Sequence, residues 1–130
     1  MVEKTAGVLK MKVRCIRLVN ALGADVTSSP WLKLNGIYDV LTLSLDISPP
    51  RCSVRIVGEQ GPGPGLFSLE QFEVVSGAIP RSWVVKMRPA GGLVFGPEPW
   101  MVSGFWQQFF DHDSEARKIY EQELSKITGT

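Results

Sequence analysis

The stretch "WLKLNGIYDVLTLSLDI", residues 31–47, decides how this chain folds. Asn35-Gly36 is a turn dipeptide, because both residue types tolerate positive φ. After it come Ile37, Tyr38, Val40, Leu41, Leu43 and Leu45 with no breaker among them, which predicts a long strand. Side chains alternate between the two faces of a strand. Leu41, Leu43 and Leu45 obey that period and Val40 is out of phase with them, so a twist or bulge is expected near residue 40. "SPPR" ends the strand. "CSVRIV", 52–57, alternates again, with Cys52, Val54 and Ile56 on one side and Ser53, Arg55 and Val57 on the other.

Upstream, "KVRCIRLVN", 12–20, is β-branched and unbroken. Its apolar phase moves from Val13 and Cys15 to Ile16 and Leu18, as expected of a bulge or of a strand covered on both faces. "ALGADVTSSP" is polar and turn-rich and reads as a long loop. Downstream, "GEQGPGPG", 58–65, is a turn with a flexible tip. A glycine-rich loop cradles phosphate by aiming consecutive backbone N–H groups at it. Pro62 and Pro64 have no N–H, and no helix follows, so the phosphate reading fails. "SLEQF" is one helical turn and "EVV" a short strand. In "AIPRSWVVKMRPAGGLVF", Trp83, Val85 and Met87 alternate with Val84, Lys86 and Arg88, and "PAGG" turns a hairpin.

Helical periods take over near the C-terminus. Phe105 and Phe109 are four apart, as are Trp106 and Phe110, in a short helix over 104–110 that Ser103 can cap. "DHDSEA" breaks it. Asp113 is the expected N-cap of a last helix, 114–127, with Glu115 in its first turn. Ala116, Ile119, Tyr120, Leu124 and Ile127 form its apolar stripe, and Arg117 and Glu121 an exposed i,i+4 pair.

At 130 residues the chain suits one domain, 1–130, with residues 1–11 as a loose leader. The net charge of +1 supplies no global field to attract nucleic acid or an anionic membrane. Cys15 and Cys52 make no CxxC pair, which argues against a zinc site and for two buried free thiols. No signal-peptide core and no membrane-length apolar run is present, so a cytoplasmic location is expected.

The order of elements over 12–76 resembles the small Src-homology-3-like barrel of many bacterial and phage proteins of unassigned role. The resemblance is carried by "LKLNGIYDVLTL", the paired strand "CSVRIVGE", the tip, the turn "LEQF" and the closing strand "EVV". It implies an α+β fold: a small antiparallel Src-homology-3-like barrel over 12–76, a β-hairpin near 82–95, and two C-terminal helices within 103–127. The chain departs from the eukaryotic signalling version. Asp25 is the one acid of the first loop, and no Trp follows the second strand, so PxxP recognition is not implied.

Three groups of residues are candidates for a site. His112 among Asp111, Asp113, Ser114 and Glu115 could bind a metal or act as a base, but adjacent positions lack the i,i+3 or i,i+4 spacing of ligands on one helix face. A polar break with an N-cap is the simpler reading. Lys10, Lys12, Arg14, Arg17, Arg51 and Arg55 could form a basic stripe for nucleic acid along the first strands. The aromatics Trp83, Trp100, Phe105, Trp106, Phe109 and Phe110 read as a docking surface for the helices, with Trp100, after Pro99, the one expected to be exposed. No nucleophile motif and no second histidine occurs. The reading is therefore a non-enzymatic binding module without cofactor or metal, its partner another protein, in an immunity-type or regulatory role. Trp31, Tyr38 and Trp100 are the expected partner-binding anchors, because aromatics dominate binding hot spots. Nucleic acid is the second expected class of partner.

Overall fold

The computed structural model describes residues 8–60, 63–89 and 91–129. Eight strands come first: β1 Met11–Cys15, β2 Ile37–Asp39, β3 Thr42–Ile47, β4 Pro50–Ile56, β5 Gly65–Ser68, β6 Phe72–Gly77, β7 Trp83–Met87 and β8 Leu93–Pro97. A 3-10 turn, Leu69–Gln71, separates β5 from β6, and a second, Glu98–Met101, follows β8. Two helices close the chain, α1 Phe105–Phe110 and α2 Ser114–Thr128. The protein is α+β, with two antiparallel sheets ordered β2-β1-β6 and β5-β4-β3-β8-β7.

The expected irregularity near residue 40 is the joint between these sheets. Val40 donates its N–H to Met11 O at 2.8 Å, whereas Leu41 donates to Arg55 O at 2.8 Å. Consecutive residues thus bond to different sheets, and both side chains are buried. The single long strand expected over 37–47 is therefore two short ones, because one chain cannot stay in phase with two differently oriented sheets. The shift seen in 12–20 has another cause. β1 slips register against β6 between Lys12 and Val13 and ends at Cys15, so Ile16 is exposed and Leu18 returns to the core from the loop.

Cross-strand partners share a face. Val54 pairs with Leu43 and Phe67, and Leu43 with Phe95. This face closes on Val13, Cys15, Tyr38 and Phe72, with the Phe67 ring edge-on to Phe72 at 6.4 Å. On the opposite face Arg55 pairs with Thr42 and Leu66. There the helical layer docks: the Arg55 guanidinium lies 4.1 Å from the Trp106 ring centre.

Several expectations need correction. The 82–95 hairpin is not a separate appendage. β8 pairs with β3, so the hairpin widens the sheet to five strands. Gly92, at φ +97°, permits the return, and a Cβ there would collide with the Leu45 carbonyl. Among the described residues of 12–76 no ladder joins the two sheets, which the chain links at Val40 and Leu41. Met11, assigned to the leader, is the first residue of β1 and is 9% exposed, since its carbonyl is needed by Val40; residues 1–7 of that leader lie outside the described residues. Ser103 does not cap α1. Gly104 occupies the N-cap position at φ +82° with no side-chain bond. Asp113 does cap α2, accepting from Ala116 N at 2.9 Å. Cys15 and Cys52 are both free, the first buried and the second half-buried. No described helix is long and apolar enough to cross a membrane.

Candidate functional site

Of the three expected anchors, the fold presents one. Trp31 is 50% exposed. Its backbone is pinned on both sides: Ser29 Oγ accepts its N–H at 3.1 Å, and its carbonyl accepts from Glu59 N–H at 2.8 Å. Gly58 lies so close beneath that carbonyl that a Cβ would overlap it. The main chain is thus fixed while the indole is left facing solvent.

Tyr38 is 8% exposed and cannot act as a direct anchor. Its hydroxyl accepts the Lys33 N–H at 2.8 Å and donates to Glu59 Oε2 at 2.7 Å. It ties together the two loops that hold Trp31 and is a positioning residue. Trp100 is the plainest reversal. Expected to be the exposed aromatic, it is 2% exposed, stacked on Tyr120 at 5.3 Å and edge-on to Trp106 at 5.4 Å. The 3-10 turn 98–101 swings it under the helical layer instead of out of it.

Trp31 overhangs an apolar groove of about 360 Å³ whose other walls are Gly63, Pro64, Leu66, Phe67 and Phe110. Leu66 and Phe110 are about half exposed. The groove runs into a second depression of about 660 Å³, bounded by the turn 19–23, Arg51, Ser53, Ser68, Glu70 and Gln71, and again by Trp31, Leu66 and Phe67. β5 forms the common floor of both. It is the edge strand of its sheet, and among the described residues no backbone group pairs with its outer side. Sequence reasoning missed Leu66, Phe67 and Phe110. Phe110 carried a usable signal, since it is out of step with Phe105 and Phe109, the two buried aromatics of α1.

Three of the six residues of the basic stripe are neutralised in place. Lys10 pairs with Asp39 at 3.7 Å, Arg14 with Glu73, and Arg17 with Asp25 at 2.6 Å. The Arg17 guanidinium holds the Asp25 carboxyl below its ordinary range. Arg55 is turned away from the stripe, under Trp106. His112 stands at φ +65° in the α1–α2 break, and Arg117 Nη2 lies 2.9 Å from its Nδ1. Arginine can only donate, so Nδ1 is the acceptor there. Among the described residues no three His, Cys, Asp or Glu side chains converge as metal ligands would.

Comparison with known proteins gives no match to any family model, curated protein or solved structure.

Proposed function

We propose that this chain is a non-enzymatic protein-binding module that receives an extended, apolar segment of a partner protein along β5. The observation that carries the reading is the unpaired outer edge of β5, flanked by the half-exposed Trp31, Leu66 and Phe110. An edge strand offers a row of free N–H and C=O groups to an incoming strand. Strand addition draws affinity from those groups and specificity from pockets for alternate side chains. β5 has four residues, so about 14 Å of extended chain could lie beside it. One apolar side chain would then reach the Trp31–Phe110 groove.

The arrangement of residues 12–76 supports reading this part as the Src-homology-3-like barrel that the sequence resembles: β1 pairs with both β2 and the closing strand β6, and the chain bends between β2 and β3 to enter the second sheet. The bacterial or phage setting, the cytoplasmic location and the immunity-type or regulatory role belong to the same proposal and rest on that resemblance. The nucleic-acid alternative is weakened by the carboxylates already held by Lys10, Arg14 and Arg17.

A displayed library of random extended peptides tests the reading. The wild-type protein should enrich peptides with apolar residues at alternate positions. Trp31→Ala, at an exposed position, should lose that enrichment while melting close to wild type, and Phe110→Ala should lose it with only a modest drop in melting temperature from its contacts with Trp106 and Phe109. Affinity should change little between about 50 and 200 mM salt, a range over which phosphate-dominated binding falls by orders of magnitude. Enrichment that both variants retain, or that disappears with salt, would defeat the proposal.

A further inference from the structure

Arg55 extends from β4 into the space between the outer face of the five-stranded sheet and α1, its guanidinium against the Trp106 ring. Burial draws its pKa down to about 10. Six other basic side chains, those of Lys10, Arg14, Arg17, Lys86, Arg88 and Lys126, each hold a carboxylate. Among the described residues Arg55 has neither an ion pair nor a hydrogen bond; its guanidinium lies against the Trp106 face, with the Tyr120 phenol close enough to act on it electrostatically. The guanidinium is half-buried, and among the described residues no side chain or carbonyl accepts its N–H groups, although charges drawn partly out of water are normally paired.

The surroundings are a cavity of about 300 Å³ with no carboxylate among its lining residues. Thr42 and Ser44, each only 7% exposed, supply hydroxyls from β3. Ser44 Oγ accepts from Arg88 Nη2 at 3.3 Å, which leaves its own proton free to donate. Lys86 and Arg88 line the cavity, and their positions are held by Glu98 at 3.2 Å and Asp46 at 2.7 Å. Polar and basic groups therefore line the cavity from three strands and a loop; Lys86 and Arg88 already hold carboxylates at its rim, and Arg55 is the cation there without one.

We propose that the cavity lined by Thr42, Ser44, Arg55, Lys86, Arg88 and Trp106 is a binding site for a small organic anion, whose phosphate or carboxylate group Arg55 receives. A planar guanidinium matches either oxyanion through two parallel hydrogen bonds. The volume is enough for an anionic head and a modest organic remainder. The site does not involve Trp31 or the β5 groove.

Thermal melting at constant ionic strength, with potassium chloride replaced stepwise by inorganic phosphate or by acetate, tests this. A ligand that binds only the folded state raises the melting temperature with its concentration. The wild-type protein should show a saturable rise with at least one of the two anions, and the anion that acts distinguishes a phosphate from a carboxylate ligand. Arg55→Met keeps a long, flexible side chain and removes a half-buried charge that has no carboxylate partner, a change often neutral or stabilising. It should melt no lower than wild type in chloride and show no rise. Ser44→Ala should weaken the apparent affinity roughly tenfold, and it keeps the test decisive if Arg55→Met does not fold. Trp31→Ala should respond as wild type does, which separates this site from the groove. No anion response beyond chloride, an equal response in wild type and Arg55→Met, or loss of the response in Trp31→Ala would overturn the proposal.

Discussion

The Tyr38 hydroxyl accepts from one loop and donates to another, so a single atom ties together the two loops that flank Trp31. Burial first, and then the bond to Glu59, pushes its pKa from 10.0 to about 12. Burial does the same to Tyr120. A phenol that ionises later in the folded than in the unfolded chain stabilises the fold fully below the unfolded value, and that contribution is lost as pH rises towards the folded value. Stability should therefore fall between pH 10 and about 12. Tyr38→Phe should flatten the decline and, near neutral pH, cost about 1–3 kcal/mol, because the Lys33 N–H loses its acceptor. Urea melts at pH 8 and pH 11 check both, and an unchanged pH slope in the variant would contradict the assignment. At this scale the sequence identified Trp31, Tyr38 and Trp100 as the aromatics to watch. It could not rank their exposure, because that depends on which segments fold over them.

The helix boundaries around "GFWQQFFDHDSEA" show where local chemistry decides and where it does not. Asp113 is extended in backbone and accepts the Ala116 N–H, so α2 starts where an acceptor side chain satisfies an otherwise unpaired N–H. Ser103, with equal capping ability, is unused because Gly104 turns through the left-handed region before α1 begins. Asp113→Ala should cost about 1 kcal/mol, and Ser103→Ala less than about 0.5 kcal/mol, as for a surface change. Denaturant melts of the two variants compare them directly; equal losses would show that the caps had been misassigned. Strands were legible for a related reason. Alternation in 52–57 and 83–87 is a local pattern, and β4 and β7 occupy nearly those ranges. The partnership of β8 with β3 was not legible, since edge pairing is chosen among strands by tertiary packing rather than by the sequence of either one.

For the whole molecule the decisive contact is between the sheet and the helical layer. Trp106 is its centre. Its ring lies edge-on to Trp100, Phe105, Phe109 and Tyr120, tilted against Phe110, and in contact with Arg55 of the sheet. Trp106→Ala should cost about 2–3 kcal/mol, below the value for a fully buried tryptophan because its ring is only partly buried. A loss below about 1 kcal/mol in a denaturant melt would mean that the helices do not depend on this docking. Phe110, at the rim of the same cluster, faces the β5 groove, so one short helix both closes the core and builds a wall of the candidate site.

The sequence by itself determined the α+β class, the strands β1, β4, β6 and β7, the single helical turn at 69–71, the hairpin, and the start of α2 at Asp113, all of which rest on periodicity, turn chemistry and capping within a few residues; it did not show β5, which follows a glycine- and proline-rich tip and has no alternation of its own. It also marked residue 40 as irregular, because the side-chain period itself slips there. Only the tertiary structure decided that this slip joins two sheets, that the hairpin widens one of them, that Trp100 is buried while Trp31 is exposed, and that Arg55 leaves the basic stripe for a cavity beneath Trp106. The physical reason is common to all four. Each depends on which distant surfaces cover one another, and burial of a side chain is a property of its neighbours in space, not of its neighbours along the chain.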